Sequence, residues 1–191
     1  VVKANSRLVV RMDALAPGVT ATALHVIARA GRVGAAVDDV QMSGLDAVGT
    51  DWIPIAAPPA REVYVPGVMP GAGARVLTVA APGQDDALVS ITVMTADGSF
   101  APADRDTMRI PAGTVQNMDG TVKWIQLDPP AGGGWFTAVV TPAKGSGPVL
   151  VAHRVREASS YGDLITGYPW RPLRTEVRVP AAQEDLAISV R

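Results

Sequence analysis

The stretch Leu88-Val89-Ser90-Ile91-Thr92-Val93-Met94-Thr95 decides the fold class of this 191-residue chain. Val89, Ile91 and Val93 alternate with smaller or more polar side chains. A period of two places alternate residues on opposite faces of a β-strand. The pattern therefore predicts a strand whose three β-branched residues face the core.

Three further runs have the composition of strands. Residues 76–80, 136–140 and 149–155 are rich in β-branched, aromatic or small apolar side chains, which favour strands. The chain also contains 19 glycines and 16 prolines, spread along its length. Breakers spaced in this way favour many short strands joined by turns. We therefore predict an all-β fold, an immunoglobulin-like β-sandwich.

An internal repeat suggests more than one such unit. Glu62-Val63-Tyr64-Val65-Pro66 is matched by Glu176-Val177-Arg178-Val179-Pro180, and Trp52 and Trp170 each stand two residues before a proline. The separation of about 110 residues is that of one sandwich domain. The repeat predicts tandem sandwiches, of which the outer ones are partial.

The positions of the repeat divide the chain into three segments. Residues 1–60 are expected to be the C-terminal strands of a first β-sandwich, and residues 61–172 a complete one. Residues 173–191 either open a further repeat or complete the first sandwich. Isolated strand pairs are marginally stable in water, so both end segments are expected to pack on something else.

Composition excludes several functional classes. The chain has no cysteine, which removes disulfide scaffolds, thiol enzymes and cysteine-ligated zinc sites. Its formal net charge is -1, which does not suit an electrostatic nucleic-acid binder. No apolar run reaches the ~18 residues of a transmembrane helix.

Neither the glycine-rich loops nor the histidines form a recognisable active site. Gly71-Ala72-Gly73-Ala74-Arg75-Val76 precedes a strand-like run where a dinucleotide loop requires a helix. Lys144-Gly145-Ser146-Gly147 lacks the spacing of a phosphate-binding loop. Both are predicted to be hairpin loops. His25 and His153 lie inside strand-like runs, so we predict structural or exposed histidines.

The paired carboxylates also lack a catalytic or metal-binding pattern. Asp38-Asp39, Asp85-Asp86 and the pair Asp104 and Asp106 have no calcium-loop spacing, and adjacent residues of a strand point to opposite faces. We expect solvated turn residues, no metal site, no cofactor and no catalytic residues.

The four tryptophans are the most distinctive side chains. Trp52 and Trp170 are expected to plug the ends of their sandwiches, because they occupy equivalent positions of the repeat. Trp124 and Trp135 flank the glycine-rich loop 129–134 and are expected to be more exposed. Exposed tryptophans suit a partner protein or a carbohydrate, so Trp124 and Trp135 are the predicted partner or ligand surface.

An ordered set of turn motifs resembles an actinobacterial family of envelope proteins of unknown function. The motifs are Leu15-Ala16-Pro17-Gly18, Gly49-Thr50-Asp51-Trp52-Ile53-Pro54, Ala56-Ala57-Pro58-Pro59-Ala60-Arg61, Val65-Pro66-Gly67-Val68, Ala81-Pro82-Gly83-Gln84-Asp85-Asp86-Ala87 and Thr95-Ala96-Asp97-Gly98-Ser99-Phe100. The resemblance implies secreted or membrane-anchored chains of tandem β-sandwiches without assigned catalytic residues. It also implies a gene often beside that of a lipid II flippase, and it marks the present chain as a fragment of a longer one.

Together these observations predict a non-enzymatic, extracytoplasmic module of the cell envelope. It is expected to bind or scaffold envelope components, with a membrane protein of cell-wall synthesis, the lipid II flippase, as the candidate partner. The alternative is a module that binds carbohydrate or peptidoglycan, and a hydrolase is the third reading.

Overall fold

The computed structural model describes residues 1–18, 22–69, 73–102, 107–116, 125–126, 133–170 and 172. Within these ranges one helical turn, α1 (Met12–Leu15), accompanies twelve strands. The strands are β1 (Ala36–Ser43), β2 (Asp46–Pro54), β3 (Val63–Val68), β4 (Ala74–Ala81), β5 (Ala87–Thr95), β6 (Gly98–Phe100), β7 (Met108–Ile110), β8 (Thr114–Gln116), β9 (Ile125–Gln126), β10 (Phe136–Pro142), β11 (Leu150–Ser159) and β12 (Gly162–Pro169). The all-β class predicted from the sequence is confirmed.

Ten of these strands form two antiparallel sheets of five strands each. The first sheet has the order β3-β10-β5-β6, and β7 also pairs with β5. The second sheet has the order β12-β11-β4-β8, and β9 also pairs with β4. The four runs identified from the sequence coincide with β4, β5, β10 and β11, the central strands of these sheets, except that Val149 lies one residue before β11.

The inner faces of the two sheets share one hydrophobic core. Val65 and Ile91 of the first sheet and Leu77 and Val151 of the second belong to one cluster of buried side chains. In β5, the predicted inward residues Val89, Ile91 and Val93 are all buried. The alternation therefore predicted both the strand and its face correctly.

The two loops predicted to be hairpins instead cross between the sheets. The loop 144–147 links β10 of the first sheet to β11 of the second, and the turn at 111–113 links β7 to β8 in the same sense. Gly113 in that turn has a positive φ, +67°. Turn residues fix local chain reversal, whereas the sheet that receives the next strand depends on nonlocal packing.

The loop at 71–76 also crosses, since β3 and β4 belong to different sheets; residues 70–72 lie outside the described ranges. Gly73 is needed for a close approach. A Cβ at this position would lie 1.7 Å from the carbonyl oxygen of Arg156 in β11. The glycine therefore lets the loop pass directly over the second sheet.

The strands β1 and β2 form a separate antiparallel hairpin, the N-terminal hairpin. It lies against β12, where Gly49 approaches Ile165 and Ile53 approaches Gly167. None of the described residues of the segment 1–60 is fully buried, so this segment has no core of its own within the described part of the chain. The division at residues 60 and 172 stays a prediction.

Candidate binding surface

The N-terminal hairpin has an inner face that is tied to the second sheet by polar contacts. Nη2 of Arg154, on the outer side of β11, donates to Oδ2 of Asp39 at 2.8 Å. Both side chains are about three-quarters buried, at 27% relative exposure each. Asp51 lies directly opposite Asp39 in the strand pair, and its carboxylate accepts the backbone N–H of Gly167 in β12 at 2.6 Å. The hairpin is therefore held in a defined orientation.

The opposite face of the hairpin is open to solvent and largely apolar. Trp52 is 64% exposed, Met42 55% and Val40 46%. Asp38 stands directly across the strand pair from Trp52, and its carboxylate accepts the hydroxyl of Thr50 at 3.2 Å. We call the surface formed by Asp38, Val40, Met42 and Trp52 the outer hairpin face.

The exposure of Trp52 contradicts the expectation that Trp52 and Trp170 both plug the ends of sandwiches. Trp52 was predicted to plug the end of a sandwich, and that prediction is wrong because its indole lies on the outer hairpin face. Trp170 is partly buried and packs against the shared core, with its Nε1 unpartnered. The repeat gave the two tryptophans equivalent positions in the sequence. In the structure, only Trp170 packs against the core shared by the two five-stranded sheets.

Of the two tryptophans predicted to form the partner surface, Trp124 and Trp135, the structure describes Trp135. Trp124 lies outside the described residues. Trp135 is 65% exposed and rests over Gly67, whose added Cβ would meet the indole at 3.7 Å. Trp135 precedes β10 in the first sheet, whereas Trp52 belongs to the hairpin beside the second sheet, so the structure presents two separate exposed indoles.

A buried polar cluster lies on the inner face of the second sheet. The guanidinium of Arg75, almost fully buried, forms an ion pair with Glu157. It also donates to the carbonyl oxygens of Met69 at 2.9 Å and Gly73 at 2.7 Å. The backbone N–H of Gly73 in turn donates to Glu157 at 3.1 Å. The cluster therefore fastens the β3–β4 connection to β11.

His153 belongs to the same inner face. It is 5% exposed, and its Nε2 has no hydrogen-bond partner. Burial, with the positive charge of Arg75 as a second cause, lowers the pKa of His153 from 6.5 to about 4. The imidazole is neutral at physiological pH and faces the core. The other histidine, His25, is exposed and, contrary to the strand-like run expected there, lies outside any strand.

The carboxylate of Asp86 is occupied in structural contacts. Asp86 accepts the backbone N–H of Ala112 at 2.8 Å and forms an ion pair with Arg109. These two contacts, the backbone hydrogen bond first, lower the pKa of Asp86. Asp104 and Asp106 lie outside the described residues. Elsewhere in the described ranges, no three His, Cys, Asp or Glu side chains come together as a potential metal site.

A shallow groove of about 200 Å³ runs between the hairpin, the segment before it and the outer face of the second sheet. Its larger apolar walls come from Leu24, Val26, Ile53, Ile55, Val115 and Leu150. Thr22 and Thr78 are the polar side chains that line it. The groove separates the N-terminal segment from the two-sheet body.

Within the described ranges, no helix is long and apolar enough to cross a membrane. What the structure presents is an all-β protein with a solvent-exposed aromatic surface on an anchored hairpin. The chain belongs to a family of unknown function (DUF5719), whose profile matches residues 1–123. That span includes the N-terminal hairpin and the strands β3 to β8.

No curated protein matches the sequence. A solved structure described as "Crystal Structure of Thermotoga maritima 1070" is similar, with a TM-score of 0.45 and 11% sequence identity. The match covers 60% of this chain and 96% of that one. A similarity of this size does not define a shared fold.

Proposed function

We propose that this chain is a non-catalytic, extracytoplasmic module that binds or scaffolds components of the cell envelope through its N-terminal hairpin. The observation that carries the proposal is the outer hairpin face, where Trp52 and Met42 are more than half exposed. Tryptophan is among the side chains that most often dominate the binding energy of an interface. A tryptophan exposed on an ordered strand therefore supports a role in binding.

The attachment of the hairpin strengthens this interpretation. The Asp39–Arg154 ion pair and the hydrogen bond from Gly167 to Asp51 fix the hairpin before any partner arrives. A surface that is already ordered loses less conformational entropy on binding. The outer hairpin face is therefore suited to act as a preformed docking surface.

The location and the partner rest on the family resemblance of the sequence motifs. They favour an actinobacterial envelope protein, secreted or membrane-anchored, whose partner is the lipid II flippase or a protein bound to it. The finer architecture, an immunoglobulin-like sandwich in tandem repeats, belongs to the same proposal. The two sheets that share one core support its central unit.

The experiment is a binding measurement between the full-length protein and the lipid II flippase reconstituted in nanodiscs. We expect saturable binding that weakens at least tenfold in the double variant Trp52→Ala, Met42→Ala. The matched control is Trp135→Ala, since Trp135 and Trp52 have nearly the same exposure. No loss in the double variant would remove the hairpin from the interface, and an equal loss in the control variant would show that the effect is not specific to the hairpin.

A second candidate, a carbohydrate- or peptidoglycan-binding module, is favoured by the two exposed indoles Trp52 and Trp135. Each presents a flat apolar surface on which a sugar ring can stack. Co-sedimentation with purified cell-wall glycan distinguishes the candidates. Saturable sedimentation that requires Trp135, together with no binding to the flippase, would favour the carbohydrate module. A hydrolase comes third, because the described residues bring no exposed histidine and carboxylate into one cleft.

A further inference from the structure

The outer edge of β1 has no strand partner in the described part of the chain. Strand β1 has eight residues and contains neither proline nor lysine, two residues that commonly protect an exposed edge; its charged residues are Asp38 and Asp39. The hairpin does contain a bulge, since Gln41 pairs with Gly49 while Met42 pairs with Ala47. The extra residue, Val48, therefore belongs to β2.

In the described part of the chain, β1 pairs with β2 and with no second strand. Alternate residues of an edge strand direct their N–H and C=O groups away from the sheet. These groups can bind the backbone of an extended segment, which would then become a third strand of the hairpin sheet.

The charge of the hairpin indicates what such a segment should carry. The stretch 36–54 contains four aspartates and no lysine or arginine. Asp39 is neutralised by Arg154 from the second sheet. Asp38 lies on the outer hairpin face, where its contact is the uncharged hydroxyl of Thr50. One carboxylate beside the open edge is therefore available to a cation.

Trp52 adds a second interaction at the same position. It lies opposite Asp38 on β2, and a strand added to β1 would place one of its side chains opposite Asp38 on the other side. Cross-strand neighbours are about 5 Å apart at their Cβ atoms. A long basic side chain there meets the carboxylate first and extends toward the indole, which attracts cations through its π face.

Resting on the proposed function, we propose that the edge of β1 docks an extended segment of a partner protein that places a lysine or arginine opposite Asp38. Backbone hydrogen bonds to β1 supply part of the affinity, while Asp38 and Trp52 select the basic side chain. Pairing β1 with β1 of a second copy is disfavoured. An antiparallel register centred on Asp38 and Asp39 would bring these carboxylates of both copies together, and like charges across a strand pair are destabilising.

The test uses the full chain and two synthetic heptapeptides, Thr-Val-Thr-Arg-Thr-Val-Thr and the same peptide with glutamate in place of arginine. Calorimetry measures affinity, and hydrogen exchange measures protection of the amides of residues 37–43. We expect the basic peptide to bind and to protect these amides, and the acidic peptide to bind at least tenfold more weakly.

Two pairs of variants, each with a matched control, test whether Asp38 and Trp52 bind the basic side chain of the peptide. Asp38→Asn should weaken the basic peptide about tenfold, or about 1.4 kcal/mol, while Asp97→Asn, in the exposed β5–β6 turn, should not change its affinity. Trp52→Ala should weaken binding and Trp135→Ala should not. All four positions are exposed, so the fold is expected to survive each change, and circular dichroism checks this.

Three outcomes would overturn the proposal: equal affinity of the two peptides, no protection of β1 at millimolar basic peptide, or protection that appears without peptide as the protein concentration rises. The last outcome would mean that a second copy occupies the edge.

The measurements distinguish failure of strand addition at β1 from failure of the proposed binding to the flippase. If Trp52→Ala, Met42→Ala abolishes flippase binding while Asp38→Asn and the basic peptide have no effect, the outer hairpin face binds without strand addition. If the basic peptide protects β1 while the double variant binds the flippase normally, the edge is a docking site and the flippase is not its partner.

Discussion

Replacing His153 with glutamine should remove a large part of the pH dependence of stability between pH 8 and pH 5. The imidazole is nearly fully buried beside Arg75, and its pKa is lowered to about 4 in the folded protein. Across the sheet it faces Leu77 on one side and Tyr168 on the other. Glu157, on the same inner face, is already paired with Arg75. No partner in the described part of the chain therefore compensates a charge on the ring.

The direction follows from proton binding. In the unfolded chain His153 titrates near 6.5, whereas in the folded chain it titrates near 4. Between these values the unfolded state binds a proton that the folded state does not, so stability falls as the pH decreases. The contribution of the neutral His153 to the free energy of unfolding is fully present above about pH 6.5 and is lost as the pH falls through about 4.

The magnitude follows from the same two pKa values. At 1.36 kcal/mol per pKa unit, the full effect is about 3.4 kcal/mol. At pH 5 the folded protein has lost about 2 kcal/mol of this, relative to pH 8. Exposed carboxylates also titrate toward pH 5, so the informative quantity is the difference between the wild type and the variant.

The assay is urea denaturation of the wild type, His153→Gln and His25→Gln at pH 8, 7, 6 and 5. We expect the free energy of unfolding of His153→Gln to fall about 2 kcal/mol less than that of the wild type over this range. His25→Gln should follow the wild type, because His25 is exposed. If all three proteins lose stability in parallel, the burial argument for His153 is refuted.

Three further predictions concern packing and the buried ion pair. Ile91→Ala should lower the free energy of unfolding by about 2–5 kcal/mol, because the side chain is fully buried and its removal leaves a cavity; a loss below about 1 kcal/mol in chemical denaturation would contradict the core assignment. Gly73→Ala should lower the free energy of unfolding by more than about 3 kcal/mol. The control Gly34→Ala should be nearly neutral, because nothing lies within 4 Å of the added Cβ. Similar melting temperatures for both variants would disprove the close approach at Gly73. Glu157→Ala should cost about 3–5 kcal/mol because it leaves the buried charge of Arg75 without its partner, and an unchanged urea midpoint would show that water replaces the carboxylate.

The sequence predicted the central strands because their burial is local and periodic. In β5, alternate residues face a core on one side only, so the inward positions could be assigned from spacing alone. The strand β11 shows where this fails. Its inward positions include Val151 and the buried His153, and nothing in the sequence near His153 indicates that Arg75, on another strand, lies beside it.

Turn residues indicate where the chain reverses but not which sheet receives the next strand. Pro111 and Gly113 stand at such a reversal, and Gly113 has a positive φ, +67°. A reversal, however, serves equally well within a sheet or between two sheets. The choice is made by long-range pairing, here β7 with β5 and β8 with β4, which a single sequence does not display.

The sequence named Trp124 and Trp135 as the partner or ligand surface, and this stays a prediction. It also placed Trp52 in the interior, and that placement is wrong because the side chain is 64% exposed. The error came from treating a sequence repeat as an equivalence of environment. Burial of an indole requires a surface to cover it, and the hairpin has its second layer on one face only.

The side chain of Asp51 connects the outer hairpin face to the second sheet by two hydrogen bonds. One carboxylate oxygen of Asp51 accepts the backbone N–H of Trp52 at 2.8 Å, and the other accepts the N–H of Gly167 in β12 at 2.6 Å. The backbone at the exposed indole is thus joined to the second sheet through a single side chain. Because the inner face of the hairpin is half-buried rather than sealed in a core, such polar contacts carry much of its orientation. A partner that moves the backbone at Trp52 must therefore strain or break the Asp51 bridge, whereas a partner that only reorients the indole leaves the attachment intact.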